Sequence, residues 1–200
     1  MSASAQHAGD DMAGDSTRWR LLAAGLLAAF AAARVANSHA AENGLMTASM
    51  LIEWTHLVLV CLWLGGVTVA AWIVMPRRAA PADSDAQAPV AYMRRLSGAA
   101  TIAFGGILAT GIYNAWHGLG APANALGNPY GSALIVKVAL VLLAAAMGGY
   151  NKLAAFPRAE AGDEEALASA RLVLQIESIV LAAAMLAAAV LVAQQPPAMA

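Results

Sequence analysis

"IEWTHLVLVCLWLGG", residues 52–66, reads as the middle of a membrane helix everywhere except at its start. There Glu53 and His56 stand three positions apart, which puts them on one face of a helix. A carboxylate and an imidazole in a lipid-soluble segment need a reason, and the rest of the chain supplies the setting for one. Hydrophobic residues make up 60% of the 200 residues and charged residues only 12%, well outside the balance of a soluble globular domain. The net charge of −1 gives no electrostatic footprint for nucleic acid. Cys61 is the single cysteine, which excludes an internal disulfide and a cysteine-rich metal cage.

Five apolar stretches follow from this composition: about Trp19–Ala36, Ala48–Met75, Val90–His117, Gly131–Leu153 and Leu167–Val192. The last four exceed the roughly 20 residues that cross a ~30 Å hydrocarbon core, and the prolines between them read as boundaries. The expected fold is all-α, an integral membrane bundle of four core helices (residues 48–197) with one N-terminal helix (residues 18–37) behind a polar, disordered tail (residues 1–17). The first stretch has a second reading. Arg18 and Arg20 precede a short apolar run, and the small residues around "NSHA" resemble the end of a signal peptide.

Lysine and arginine set the orientation. Arg77, Arg78, Arg94 and Arg95 flank the 76–89 loop, and Lys152, Arg158 and Arg171 flank the 154–166 loop, whereas the 37–47 and 118–130 connections carry neither residue. The positive-inside rule then places the N-terminus inside, the C-terminus out, and the bare connections on the periplasmic side of a bacterial inner membrane. Trp54, Tyr113, Trp116 and Tyr130 fall near the outer boundary, and Trp19, Trp72, Tyr92 and Tyr150 near the inner one, as interfacial aromatics do. Glycine pairs at 65–66, 105–106 and 148–149 are expected to be close-packing points between helices.

Ionisable groups within a bilayer are costly and mark function by default. On this topology His56 lies eight residues, about 12 Å, below the outer boundary, and Lys137 six residues, about 9 Å, below it. Asn114 and His117 occupy the last outer turns of the third stretch, so three helices bring polar groups into one outer half. Met46, Met50, Glu53 and His56 share a stripe on the second stretch. Thioether with imidazole suits copper, since Met favours Cu(I) and His accepts either oxidation state. The metal candidates are therefore His56, Met50, Met46, Glu53 and His117, with Glu177 as a deeper station. Each has a plainer account: Met as packing, Glu53 orienting His56 or pairing with Lys137, Lys137 snorkelling to the headgroups, and Glu177 in a helix–helix hydrogen bond with Gln175 or Asn114 nearby. No phosphate loop, Ser/His/Asp arrangement or metalloprotease signature is present, so a catalytic residue is not assigned.

"HLVLVCLWLGGV" (56–67), "TGIYNAW" (110–116), "NPYGSALIVKVALVLLAAAMGGYNKL" (128–153) and "AVLVAQQPPA" (189–198) together resemble the copper resistance protein D family over about residues 48–197. The resemblance implies a bacterial inner-membrane protein of copper homeostasis that works with a small periplasmic copper carrier (CopC-like). More distantly, the chain is similar to a membrane haem-binding group that includes a bacterial protoporphyrinogen oxidase. His56 and Lys137 fall on that group's functional His and Lys, and the resemblance makes haem b the alternative to copper, with His117 and Asn114 beside it. A cofactor-free structural or assembly protein is the third reading. Four or five helices offer a narrow path, which leaves a homo-oligomer open as the transporting form.

Overall fold

The computed structural model describes residues 25–26, 29–30, 32–33, 47–75, 87–194 and 196–197. Most of the first apolar stretch, the 1–17 tail, the 76–86 loop, Met46 and the question of a signal peptide lie outside the described residues. The chain divides into two compact units, Met1–Val58 and Leu59–Ala200. Helix α1 (Ala48–Val69) contains that boundary and ends in one wide, π-type turn, Ala70–Val74. It is followed by α2 (Gln87–Leu119), a short 3₁₀ turn (Pro122–Ala125) and α3 (Pro129–Tyr150). A second wide turn (Asn151–Ala155), α4 (Phe156–Glu160) and α5 (Glu164–Val192) complete the order.

Among the described residues, four helical spans are long and apolar enough to cross a membrane: Ala48–Val74, Tyr92–Leu119, Pro129–Glu160 and Glu164–Val192. In hydrocarbon the backbone must satisfy its own hydrogen bonds, which leaves the helix as the form available to a non-barrel chain. The hydroxyls comply too. Thr55, Thr68, Thr101 and Thr110 each donate to the carbonyl four residues back, at 2.8, 2.7, 2.7 and 2.6 Å. Large apolar side chains such as Ile73, Ile102, Ile112, Leu153 and Leu186 point outward, as lipid-facing residues do.

The prolines sit differently from the expectation. Pro89, Pro129 and Pro157 lie within the first turns of α2, α3 and α4 rather than between helices. At Pro89 and Pro129 the first turn has no use for the missing N–H and the fixed φ suits it, whereas Pro157 follows directly on a wide turn. Likewise Leu153 is not a boundary. The span runs on through the wide turn to Glu160, 32 residues in all, or about 48 Å at 1.5 Å per residue, so its end leaves the ~30 Å core.

Within residues 59–200 the most extensive packing is α3 along α5, with α2 approaching its neighbours much less closely. The core is built from Trp63, Val67, Met93, Ile107, Leu174 and Leu181, with alanines between. One member of each glycine pair makes the close approach. A Cβ on Gly66 would meet Leu96, one on Gly106 would meet Leu59, and one on Gly148 would meet Glu177, while Gly65, Gly105 and Gly149 have nothing within 4 Å.

The two ends of this unit differ. At one, Arg94 pairs with Glu160 (3.1 Å) and Arg158 with Asp163 (2.7 Å). Asp163 also caps α5 by accepting from Ala166 N at 3.0 Å. At the other, the α2–α3 connection is held by uncharged groups. Asn124 Nδ2 donates to Leu119 O, Asn128 Nδ2 to Asn124 O, and Gly131 N to Asn128 Oδ1. Gly131 must be glycine because a Cβ there would run into the Ala125 backbone.

Gly106→Val is expected to destabilise by about 1–3 kcal/mol through overpacking against Leu59, and Gly105→Val to be near neutral. Unfolding of the two variants in detergent checks the contrast. The Ala166 N–H and then Arg158 hold the Asp163 carboxyl below its ordinary value. Its stabilisation is therefore present above the unfolded-state carboxylate range and lost as pH falls through the lowered folded value. The gap in melting temperature between wild type and Asp163→Ala should accordingly be full at neutral pH and narrow in acid.

Candidate functional site

The most completely buried acidic side chain among the described residues is Glu177, 1% exposed near the middle of α5. A carboxylate there needs donors, and one reaches it: Trp63 Nε1 donates to Oε1 at 3.2 Å. Trp63 is itself buried and meets Phe104 of α2 edge-on, with centroids 5.7 Å apart. Gly148 of α3 provides the space, since a Cβ there would lie 3.3 Å from Oε1. The second oxygen, Oε2, has no protein hydrogen-bond partner among the described residues.

Asn151 repeats the pattern. It is 1% exposed at the start of the second wide turn. Its Nδ2 donates to Ala170 O at 3.4 Å, and its Oδ1 is unpartnered among the described residues. Both orphan oxygens belong to residues lining a single cavity of about 230 Å³, whose walls also include Trp63, Ser97, Thr101, Phe104, Gly148 and Lys152. Lys152 is exposed and donates from Nζ to Thr101 Oγ1 at 2.8 Å. Two further contacts fasten α5 to the end of α1. Trp72 Nε1 donates to Ser178 Oγ at 3.1 Å, and Arg171 Nε donates to Ala71 O at 3.5 Å.

The residues singled out from the sequence are placed as follows. Met50, Glu53 and His56 are half-buried on the first turns of α1, in the unit that ends at Val58. Neither Glu53 nor His56 lacks an interaction partner. Asn114 is half-buried and His117 exposed at the end of α2. His117 Nδ1 engages Tyr113 O at 3.0 Å and its ring packs on that of Tyr113 with centroids 4.0 Å apart. Lys137 is half-buried on α3 and also has a partner. Among the described residues no three His, Cys, Asp or Glu side chains converge as a metal-ligand group. A copper site would draw on thioether sulfur as well.

Glu177 stands apart from the outer group of the same unit. Its cavity meets α2 at Leu96–Phe104, ten residues, or about 15 Å, before Asn114. Its partner is Trp63, not the neighbouring Gln175 or Asn114. Trp63 and Asn151 were missed by sequence reasoning. An indole N–H in an apolar helix does call for an acceptor, and that signal was available. Asn151 had no such signal, because it lies two residues before Leu153, where a span was expected to end.

A family model for copper resistance protein D matches residues 90–191, just over half of the chain, which takes in α2 to α5 and leaves out His56. No curated protein and no solved structure matches.

Removing the indole N–H leaves a buried acceptor without its donor. Trp63→Phe is expected to cost about 1–3 kcal/mol, and the double variant Trp63→Phe/Glu177→Leu to recover most of that loss. A double-mutant cycle on unfolding in detergent checks both values.

Proposed function

The chain belongs to the copper resistance protein D family, and from that premise we propose that this multi-pass membrane protein passes copper ions across a bacterial inner membrane for homeostasis or resistance. Copper is its cargo, taken up on the periplasmic side. The reading rests on one observation: α1 is a continuous helix from Ala48 to Val69. It therefore carries Met50, Glu53 and His56 within an arc of about 120°, at three residues per step and 3.6 per turn. His56 is the central ligand, Met50 and Met46 supply thioethers, and Glu53 orients the imidazole or completes the charge. Soft sulfur with imidazole is the donor set that holds Cu(I) while still accepting Cu(II) on the imidazole side.

The distribution of charge supports the direction of entry. Arg94, Lys152, Arg158 and Arg171 lie towards one end of the spans in residues 59–200, whereas the 118–130 connection has no Lys or Arg. The positive-inside rule makes the first end cytoplasmic, so an incoming cation meets no like charge on the connection it approaches. A small periplasmic copper carrier is the donor that this arrangement fits, and a dimer of the chain is the form that would widen the path.

His56→Ala is expected to lower cell-associated copper and to change copper tolerance several-fold, with the protein still present in the membrane. Unchanged copper content and tolerance would overturn the reading. The visible spectrum of the purified wild type separates the competitor: a Soret band lost in His56→Ala would assign His56 and Lys137 to haem b instead.

A further inference from the structure

We propose that the Glu177 cavity is a proton-exchange site, in which Oε2 takes a proton from water entering beside Lys152 and returns it by the same route. The chemistry of the cavity selects this ligand. Three donors of the lining and its neighbours are directed elsewhere than Oε2: Trp63 Nε1 to Oε1, Asn151 Nδ2 to Ala170 O, and the Thr101 hydroxyl to Ser97 O. Two residues lining one space of about 230 Å³ each keep an acceptor without a protein partner among the described residues, Glu177 Oε2 and Asn151 Oδ1. Acceptors without donors are satisfied by something that brings hydrogen, and a volume of that size holds several waters at ~30 Å³ each.

A metal cation is a poorer fit. The donor set is oxygen alone, which does not suit Cu(I), and the ammonium of Lys152 on the same wall opposes a second fixed positive charge. The charged and titratable groups facing Glu177 are few. Trp63 comes from α1, Leu96 to Phe104 from α2 and Leu174 from α5, none of them titratable, and Gly148, Asn151 and Lys152 come from α3 and its wide turn. Lys152 is the one charged neighbour among the cavity's lining residues. It is exposed, and an ammonium on a flexible stem keeps its head in water, which puts the route for water on its side of the cavity. The step balances simply: hydronium and carboxylate give water and carboxyl, and the reverse releases the proton. The carboxyl form donates from Oε2, which removes the orphan acceptor.

The test is infrared difference spectroscopy of the full chain in proteoliposomes without copper, so it stands or falls independently of the copper reading. The wild type is expected to show a protonated-carboxyl C=O band that responds to bulk pH and exchanges in D₂O. Glu177→Gln, which keeps the acceptor for Trp63, should abolish the band. Trp63→Phe should move it to higher frequency, because its C=O loses the indole hydrogen bond. Ala100→Leu, which fills the cavity, should slow its exchange several-fold while the amide bands stay unchanged. A band that survives Glu177→Gln, a wild type without a pH-responsive carboxyl band, or exchange in Ala100→Leu as fast as in wild type would each overturn the proposal.

Discussion

A carboxylate in the middle of an apolar bundle can be kept only where another helix delivers a donor, and the bond from Trp63 to Glu177 is that delivery. It fixes how far the end of α1 stands from α5, since the indole must reach Oε1 at 3.2 Å. It also requires α3 to present glycine at 148, the position facing the carboxylate. Trp72, nine residues further along, bonds the adjacent Ser178, so two indoles of one stretch close on consecutive residues of α5. Dispersion holds the rest of the unit together, but these directed contacts choose which faces meet. In lipid, where apolar side chains gain little by leaving one apolar neighbour for another, directed contacts of this kind set specificity.

The spans were legible because their signal is summed over twenty or more residues, and no single position decides it. The glycine pairs were legible as a class, yet the sequence does not say which member packs. That depends on helix rotation, and rotation depends on tertiary contacts such as Trp63–Glu177. The two wide turns were hidden for a related reason. A π-type turn adds a residue within a helix without leaving a mark in composition, and "NKLAA" reads as ordinary helix. Pro157 was taken for a stop when it begins α4, because a proline at a first turn and a proline after a last turn look alike in one dimension. Glu177 was flagged as costly in lipid, but the donor that answers it lies 114 positions away, beyond any local pattern.

Two kinds of polar chemistry therefore occur in one chain. On α1, Met50, Glu53 and His56 combine sulfur, carboxylate and imidazole. In the unit of residues 59–200, Glu177 and Asn151 offer oxygen alone. The family match covers the second and stops short of the first.

The tied connection between α2 and α3 bears on how the protein reaches its membrane. Residues 120–128 form a closed set of side-chain to backbone bonds through Asn124 and Asn128, without a charged residue. Moving such a loop through hydrocarbon exposes fewer bare carbonyls and amides than an open loop would, and there is no charge to desolvate. The α2–α3 hairpin is thus suited to entering the bilayer as a pair during synthesis.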